Sequence, residues 1–338
     1  MKRVLIVKLW ALGDILMATP MIAALRARFP DVEITWMADS FHAEILAGHP
    51  GIDTLIPLDS GVWRRLLRKG NLPGWIACTR QVRSDLAAHN FDAVINCQPD
   101  KWWSLFLCAA PVKIGLYPSP RLPVSKMFYT HAIARPANVG LHNTDHYLLA
   151  TQALGCPAAD KRMTIGETPD EAPFVHDFFE AQGLTRDKPI VVLAPFSTQD
   201  SKDWDPARYA CLADFLHQNG SQLLMTIGPK DSEKARFLVA QASAPIPIAQ
   251  GTTLRQYVGL IRAADLVVSG DSSPMHIAAA VGTPYVSLFG PTPVDELAPL
   301  VGQGIVLHSG PSVNSISVED AQAAALSLLL PGRKAQHV

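Results

Sequence analysis

Short hydrophobic runs alternate with longer amphipathic stretches along the first half of the chain. Runs with the length and near-continuous apolar character of buried strands are Val4–Lys8, Glu33–Ala38, Ala93–Asn96 and Val112–Ile114. Hydrophobic spacing of helical period covers residues 13–28, 41–46 and 142–154. Apolar strands that alternate with helices predict a parallel sheet with helices packed on its faces.

The same alternation restarts after residues 166–173, a stretch rich in Pro, Glu and Thr that we interpret as a linker. The predicted strands of this half are Ile190–Ala194, Gln222–Ile227, Ile246–Ile248, Leu266–Ser269 and Tyr285–Phe289. The predicted helices are Pro206–Gln218, Ser232–Ala242, Leu254–Ala263, Pro274–Val281 and Val318–Leu330. The sequence therefore predicts an α/β fold with two Rossmann-like doubly wound domains, residues 1–165 and 166–338, facing each other across a cleft.

The composition agrees with two folded domains and indicates the cellular compartment. The chain has 338 residues, of which 48% are hydrophobic and 17% charged, so each half can bury a core. Lys8 interrupts the first apolar run, which is too short for a signal peptide, and no run approaches the ~18 apolar residues of a membrane span. The five cysteines are scattered and contain no C-x-x-C pair, so we expect neither a metal cage nor a disulfide framework. We predict a cytoplasmic protein.

Charge is unevenly distributed between the two halves. Residues 1–165 contain 18 Lys and Arg against 12 Asp and Glu, and the remainder has the opposite bias. Part of the surplus is a basic cluster beside two tryptophans: Arg64, Arg65, Arg68 and Lys69, with Trp63 and Trp75. The cluster is either a solvated helix face or the mark of an anionic, membrane-borne partner. The near-neutral overall charge makes nucleic acid a poor partner.

The first strand leads into a loop with a glycine and a carboxylate, Gly13 and Asp14. Asp14 falls in the first turn of a helix, at the carboxyl end of a strand. It could be an ordinary helix cap, or a general base that takes a proton from an acceptor hydroxyl. A G-x-G-x-x-G dinucleotide fingerprint is absent here.

The first strand of the second half leads into a loop rich in hydroxyls, residues 197–204, which contains Lys202. Such a loop suits phosphate oxygens, although it could equally be a polar surface loop. Asp203 and Asp205 spell D-x-D, a pattern that holds a divalent metal in many glycosyltransferases. Because two acids at this spacing arise easily by chance and lie beside a helix start, we expect no metal there.

A third loop, residues 269–276, joins a strand to a helix with Pro274 at its first position. A helix N-terminus with unpaired N–H groups is a natural seat for a pyrophosphate, although a capped helix with a core histidine fits as well. A fourth loop, residues 228–233, contains Asp231 and Glu233, either of which could bind ribose hydroxyls or simply belong to a solvated helix start.

Together these segments resemble glycosyltransferase family 9, the ADP-heptose:lipopolysaccharide heptosyltransferases. The matching segments, in order, are VLIVKLWALGDILMATP (4–20), FPDVEITWMAD (29–39), STQDSKDW (197–204) and GDSSPMHIAAAVGTPYVSLFGPTP (270–293). The resemblance implies the GT-B architecture, with an acceptor-binding N-terminal half and a nucleotide-sugar-binding C-terminal half. It also implies inverting chemistry without a metal or other cofactor, and a final helix (318–330) that packs back on the N-terminal domain.

The resemblance implies a role for several residues. Asp14 matches the catalytic base, and Lys202 the lysine that meets the donor phosphates. The remaining donor-binding candidates are Ser197, Thr198, Glu233, Asp271, Ser272, Ser273, Met275 and His276, and the acceptor-side candidates are Gly13, Trp10 and Lys101. Ser273 stands where many members carry glycine, and Trp10 where a small polar residue is common. Trp102 and Trp103 are also unusual for the family.

The leading hypothesis is an enzyme that transfers heptose from ADP-heptose to the lipopolysaccharide inner core at the cytoplasmic membrane face. Its acceptor would be an anionic glycolipid of the lipid A/Kdo type. Alternatives are a family relative that uses another nucleotide sugar or acceptor, a nucleotide-sugar epimerase of similar fold, and a non-catalytic binding protein.

Overall fold

The computed structural model describes residues 1–98, 108–116, 127–134, 140–158 and 160–329. The chain divides into two compact units, residues 1–166 and 167–338. In the described part of the chain, each unit contains one six-stranded parallel sheet. The predicted α/β class is therefore confirmed.

The first unit is built around the strand that begins the chain. Its strands are β1 (Arg3–Val7), β2 (Glu33–Asp39), β3 (Thr54–Leu58), β4 (Ala93–Asn96), β5 (Val112–Leu116) and β6 (His131–Ile133), in the sheet order β3-β2-β1-β4-β5-β6. Its helices are α1 (Leu12–Ala18), α2 (Pro20–Arg28), α3 (Ser40–Ala43), α4 (Ser60–Arg68), α5 (Leu72–Ala88) and α6 (Asn143–Gln152). Val4 pairs with Ile34 on one side and with Ala93 on the other, so β1 is central, and all its residues after Arg3 are buried.

The second unit repeats this topology. Its strands are β7 (Ile190–Ala194), β8 (Gln222–Thr226), β9 (Ile248–Ala249), β10 (Leu266–Gly270), β11 (Tyr285–Phe289) and β12 (Gly304–His308), in the order β12-β11-β10-β7-β8-β9. Its helices are α7 (Glu171–Gln182), α8 (Pro206–Gln218), α9 (Ser232–Val239), α10 (Leu254–Ala263), α11 (Ser273–Val281), α12 (Val294–Leu297) and α13 (Val318–Leu329). Counted from its own first strand, each sheet has the order 3-2-1-4-5-6 of a Rossmann fold.

Several elements differ from the sequence prediction. The helix predicted over residues 13–28 is two helices that meet at Thr19, because Pro20 begins the second one. The predicted linker 166–173 already contains the start of α7, and Pro173 is tolerated in a first turn because its missing N–H would have no helical partner there. Glu171 of this segment is buried and paired with Arg255 and Arg262.

The last helix, α13, packs on the sheet of its own unit. Ala321, Ala324 and Ala325 are buried in the hydrophobic cluster that also contains strands β10 and β11. Its packing on the N-terminal half remains a prediction. Among the described helices, none is both long and apolar enough to cross a membrane.

Candidate active site

All strands of a parallel sheet end at the same edge, so the loops after β1 and β2 share one edge of the first unit. The loop after β1 ends in Ala11, whose φ of 66° is unusual for a residue with a side chain. This backbone turn directly precedes α1, and Asp14 lies in the first turn of that helix. The turn therefore carries the carboxylate to the carboxyl edge of the sheet.

The Asp14 carboxylate is held by two other side chains. Lys8 Nζ lies 3.0 Å from Asp14 Oδ2, and Asn143 Nδ2 donates to Oδ1 at 3.4 Å. The Lys8 side chain is 4% exposed, whereas that of Asp14 is 30% exposed. The Lys8 ammonium also lies 5.6 Å from the centre of the Tyr147 ring. A buried cation thus fixes an accessible carboxylate, which is more than a helix cap requires.

Helix α3, which follows β2 directly, adds a histidine to this edge. His42 Nδ1 lies 3.6 Å from Asp39 Oδ1, and Ser60 donates a hydrogen bond to Asp39. Burial lowers the pKa of His42, and the nearby Lys8 ammonium adds to this effect, although Asp39 opposes it. A lowered pKa favours the neutral imidazole at pH 7.

The acceptor-side candidates are only partly described. Gly13 is the second residue of α1, beside Asp14. Trp10 is half-buried and packs against the core cluster of the first unit, which limits how much of its ring can face a ligand. Lys101, Trp102 and Trp103 lie outside the described residues.

In the second unit, the loop after β7 is tightly fastened. Asp203 accepts the N–H of Ser197 at 2.8 Å, and Lys234 Nζ lies 3.0 Å from its other oxygen. Trp204 is fully buried and donates its indole N–H to the carbonyl of Ile316. The tryptophan of the K-x-W pattern therefore anchors the loop that carries Lys202.

Lys202 meets the loop after β10. Its Nζ lies 2.7 Å from Asp271 Oδ2, and the Thr292 hydroxyl donates to the same oxygen at 2.5 Å. Here the exposures are reversed, because the Asp271 side chain is 5% exposed and that of Lys202 17%. Lys202 and Asp271, which the sequence predicted, thus form one cluster with Thr292, which it did not predict. The three residues come from separate loops at the carboxyl edge of the second sheet.

Helix α11 begins directly after this cluster. Its N-cap residue, Ser272, makes no side-chain cap, and Pro274 occupies the first turn. The N–H groups at the start of α11, which no Ser272 side chain caps, and the helix dipole therefore favour an anion. Ser272 and Ser273 are partly exposed, whereas Met275 is fully buried and His276 nearly so. Because its side chain is fully buried, Met275 has no exposed surface for a ligand in this conformation, and its donor-binding role stays a prediction.

The remaining candidates of the second unit differ in their exposure and in their hydrogen-bond partners. Ser197 donates its hydroxyl to the carbonyl of Gln199, and Thr198 is exposed. Glu233 is exposed in the first turn of α9, whereas Asp231 accepts the N–H of Gly228. The geometry therefore favours Glu233 over Asp231 as the accessible acid.

Both acids of the D-x-D sequence have structural partners. Asp203 holds the Ser197 loop as described, and Asp205 accepts the N–H of Ala207 as the N-cap of α8. Within the described residues, no group of three or more His, Cys, Asp and Glu is placed to hold a metal ion.

Comparison with known proteins assigns the chain to a family. The model of glycosyltransferase family 9 (heptosyltransferase) matches residues 79–323, well over half of the chain. The chain belongs to glycosyltransferase family 9. As a member of this family it is a glycosyltransferase, and more narrowly a heptosyltransferase, which confirms the resemblance drawn from its motifs.

Individual family 9 proteins resemble the chain along most of its length. The lipopolysaccharide core heptosyltransferase OpsX of Haemophilus influenzae is 27% identical over 295 residues, covering 85% of this chain and 79% of that protein. The structure of a family 9 glycosyltransferase from Veillonella parvula superimposes with a TM-score of 0.85 at 24% identity, covering 98% of both chains. The Escherichia coli heptosyltransferase WaaC with ADP-2-deoxy-2-fluoro heptose superimposes with a TM-score of 0.74 at 23% identity, covering 96% and 99%.

Sequence reasoning missed three residues of this candidate site. Lys8 was treated only as an interruption of an apolar run, although a charge that ends a buried strand six residues before Asp14 is a usable signal. Thr292 lay inside a recognised segment without a role. Asn143 gave no sequence signal, because it reaches Asp14 only through tertiary folding across 129 positions.

Proposed function

We propose that this family 9 enzyme transfers heptose from ADP-heptose to the inner core of lipopolysaccharide, with inversion and without a metal ion. The support is the family, the lipopolysaccharide core named for OpsX and the ADP-heptose analogue named for WaaC. The acceptor would be an anionic glycolipid of the lipid A/Kdo type, reached at the cytoplasmic face of the membrane.

The observation that carries the proposal is the opposite burial within the two ion pairs. In the first unit the buried partner is the cation and the accessible one is the carboxylate of Asp14. In the second unit the buried partner is the carboxylate of Asp271, and the Lys202 side chain is the more exposed one. A proton acceptor suits a sugar hydroxyl, and a cation suits a diphosphate.

Asp14 would act as the general base. Its carboxylate takes the proton of the acceptor hydroxyl as the oxygen attacks the anomeric carbon of the heptose. The bond between that carbon and the diphosphate oxygen breaks, and ADP leaves with the bonding electrons. A single displacement of this kind inverts the configuration of the anomeric carbon. Lys8 and Asn143 would position the carboxylate.

Lys202 and the N-terminus of α11 would stabilise the negative charge that develops on the leaving diphosphate. Thr198, Ser272 and Ser273 offer hydroxyls to its oxygens, and Ser197 would first have to release the carbonyl of Gln199, to which it donates. Asp271 already binds Lys202 and Thr292, so we assign it the role of orienting Lys202. Glu233, exposed at the start of α9, would accept the ribose hydroxyls.

The domain roles follow from these assignments. We assign the acceptor to residues 1–166 and the nucleotide sugar to residues 167–338, with α13 reaching back to the first unit as the family resemblance implies. The enzyme would work in the cytoplasm, in peripheral contact with the membrane that carries its acceptor.

The direct test is release of ADP from ADP-heptose by the purified protein in the presence of EDTA, with deacylated Kdo-bearing lipid A as acceptor. We expect release that depends on the acceptor, survives EDTA and falls about 100- to 10,000-fold in Asp14→Asn, the usual contribution of a general base. Loss of activity in EDTA would contradict the metal-free mechanism.

The alternatives give different results in the same assay. Turnover with another sugar donor alone would keep the chemistry and change the substrate. An epimerase would convert the nucleotide sugar without an acceptor, and addition of the acceptor would release no ADP. A binding protein would retain the donor without turnover.

A further inference from the structure

Helices α4 and α5 form a hairpin on the first unit, joined by residues 69–71. One stripe of α5 packs on the sheet: Trp75, Cys78, Val82 and Leu86. From α4, Trp63 joins this inner face, with its ring centre 6.3 Å from that of Trp75 and its indole N–H donated to Cys78 Sγ. Because aromatic and apolar side chains fix the inner face, the outer face is held in a defined orientation.

The outer face is strongly cationic. Arg64, Arg65, Arg68 and Lys69 are exposed and, together with Gly61, line a cavity of about 380 Å³. Within the described residues, none of these four cations forms an ion pair. Residues 59–88 contain two further arginines, Arg80 and Arg83, against two acids: Asp59, which caps α4, and Asp85, which accepts a hydrogen bond from Gln81. Positive charge therefore exceeds negative charge on this hairpin.

Apolar side chains stand exposed beside these cations. The exposed fraction is 53% for Leu67, 56% for Leu72 and 37% for Ile76. On α5, Leu72, Ile76, Arg80 and Arg83 follow one another at spacings of three and four, so they share one side of the helix. Clustered exposed apolar side chains mark an interaction surface.

We propose that this α4–α5 surface docks on a bilayer of anionic phospholipids. The arginines and Lys69 would contact the lipid phosphates, and Leu67, Leu72 and Ile76 would enter the headgroup boundary. Surplus positive charge next to apolar side chains is the pattern of a helix that lies on a membrane. An acidic protein partner would also suit the cations, but the chain would then not bind vesicles that contain no protein.

The position of the hairpin connects docking to the active site. Helix α4 begins directly after β3, at the edge of the sheet where Asp14 lies, and Ser60 at its start donates a hydrogen bond to Asp39. A docked hairpin would therefore hold the Asp14 edge near the lipid headgroups. This consequence rests on the proposed lipid-borne acceptor, whereas the docking itself does not depend on any transfer reaction.

The test is co-sedimentation of the full chain with vesicles of phosphatidylglycerol and phosphatidylcholine in equal parts. We expect binding that is lost with pure phosphatidylcholine and weakened by salt. Each cation near an anionic surface contributes about fivefold to binding, so the triple variant Arg64→Gln/Arg65→Gln/Arg68→Gln should bind roughly a hundredfold more weakly. The variant Leu67→Gln/Leu72→Gln/Ile76→Gln should also bind more weakly.

Matched controls remove the same features elsewhere. Lys2→Gln/Lys188→Gln/Arg236→Gln loses three exposed cations, and Leu300→Gln loses an exposed apolar side chain. Both should bind the vesicles like the wild type, and circular dichroism should show all variants folded. If the control triple loses binding as far as the arginine triple does, only net charge matters and the proposed surface is wrong.

Turnover separates docking from acceptor recognition. The arginine triple should keep wild-type turnover on soluble deacylated acceptor and lose it on acceptor embedded in the vesicles. Wild-type vesicle binding combined with lost turnover on the soluble acceptor would overturn the proposal, because the cations would then serve the acceptor directly. Should the chain transfer no heptose at all, the vesicle-binding results still decide for or against the docking surface.

Discussion

The two units contain the same kind of ion pair at the same edge of the same kind of sheet, with the burial of the partners exchanged. In the first unit, Lys8 is the buried member and Asp14 the accessible one. In the second, Asp271 is buried and Lys202 is more accessible. One topology, used twice, therefore offers a carboxylate at one site and an ammonium at the other.

This difference separates the buried residue, which orients its partner, from the exposed residue, which meets the substrate. A lone charge next to a hydrophobic core is costly to bury, and a partner of opposite sign at hydrogen-bond distance offsets that cost. The buried partner also leaves the exposed group only a narrow range of orientations. We expect loss of a buried partner to impair the site through the position of its neighbour, with a smaller effect than loss of the exposed group itself.

The largest such effect is expected for Lys8→Met. The substitution keeps most of the side-chain length and removes the ammonium 3.0 Å from Asp14. Hydrogen bonds to charged groups contribute about 1.5–3 kcal/mol, so kcat should fall roughly 10- to 100-fold while the Kd for donor stays the same. Steady-state kinetics and calorimetry give the two quantities. The control is Lys161→Met, which removes the more exposed ion pair with Asp145 and should leave both unchanged.

A smaller effect is expected for Thr292→Val in the second unit. The substitution keeps the shape and removes the hydroxyl that donates to Asp271 Oδ2. Donor affinity should fall about 2- to 10-fold, as for one ordinary hydrogen bond, and kcat at saturating donor should fall by no more than that factor. Thr283→Val, which removes a buried hydroxyl bonded to the carbonyl of Ile261, should lower Tm and spare donor affinity. If Thr292→Val instead lowered Tm and left donor affinity unchanged, Thr292 would not belong to the donor site.

The smallest effect is a pH dependence of stability in the first unit. Burial lowers the pKa of His42 and of His49 below 6.5, so the folded chain binds fewer protons than the unfolded chain. Their contribution to stability is present above pH 6.5 and is lost as pH falls through their lowered folded values. Tm should therefore drop between pH 7 and 5, and less steeply in His49→Gln.

The structure supplies the reason and a control for that experiment. His49 Nδ1 accepts the N–H of Gly51, so protonation would break that bond. The exposed His176 provides the matched substitution, His176→Gln, which should keep the wild-type slope. An unchanged slope in His49→Gln would contradict the assignment.

The sequence predicted the central strands because parallel strands that are buried on both faces consist of nearly continuous apolar runs. Edge strands lack that signal, so β3, with Pro57 and half-buried positions, and the half-buried β12 were missed. Helices α4 and α5 were missed for a related reason, because much of their surface is polar or exposed and only one side packs on the sheet.

The site was predictable where its residues follow strands within recognisable motifs, as with Asp14, Lys202 and Asp271. It was not predictable where tertiary packing decides the role. Met275 lies in the strongest motif and yet faces the core, whereas Lys8 and Asn143 lie far apart in sequence and meet at one carboxylate. Motif position alone does not say which side chains of a loop are accessible.

The most direct test of the exchanged ion pairs is to measure donor Kd and kcat together in Asp14→Asn and Lys202→Met. Calorimetry with ADP-heptose in the absence of acceptor gives the Kd, and ADP release with acceptor gives kcat. We predict that Asp14→Asn binds donor within about twofold of the wild type and loses turnover, whereas Lys202→Met binds donor about 10- to 100-fold more weakly. Equal loss of donor affinity in both variants, or wild-type donor affinity in Lys202→Met, would contradict the division of roles between the two units.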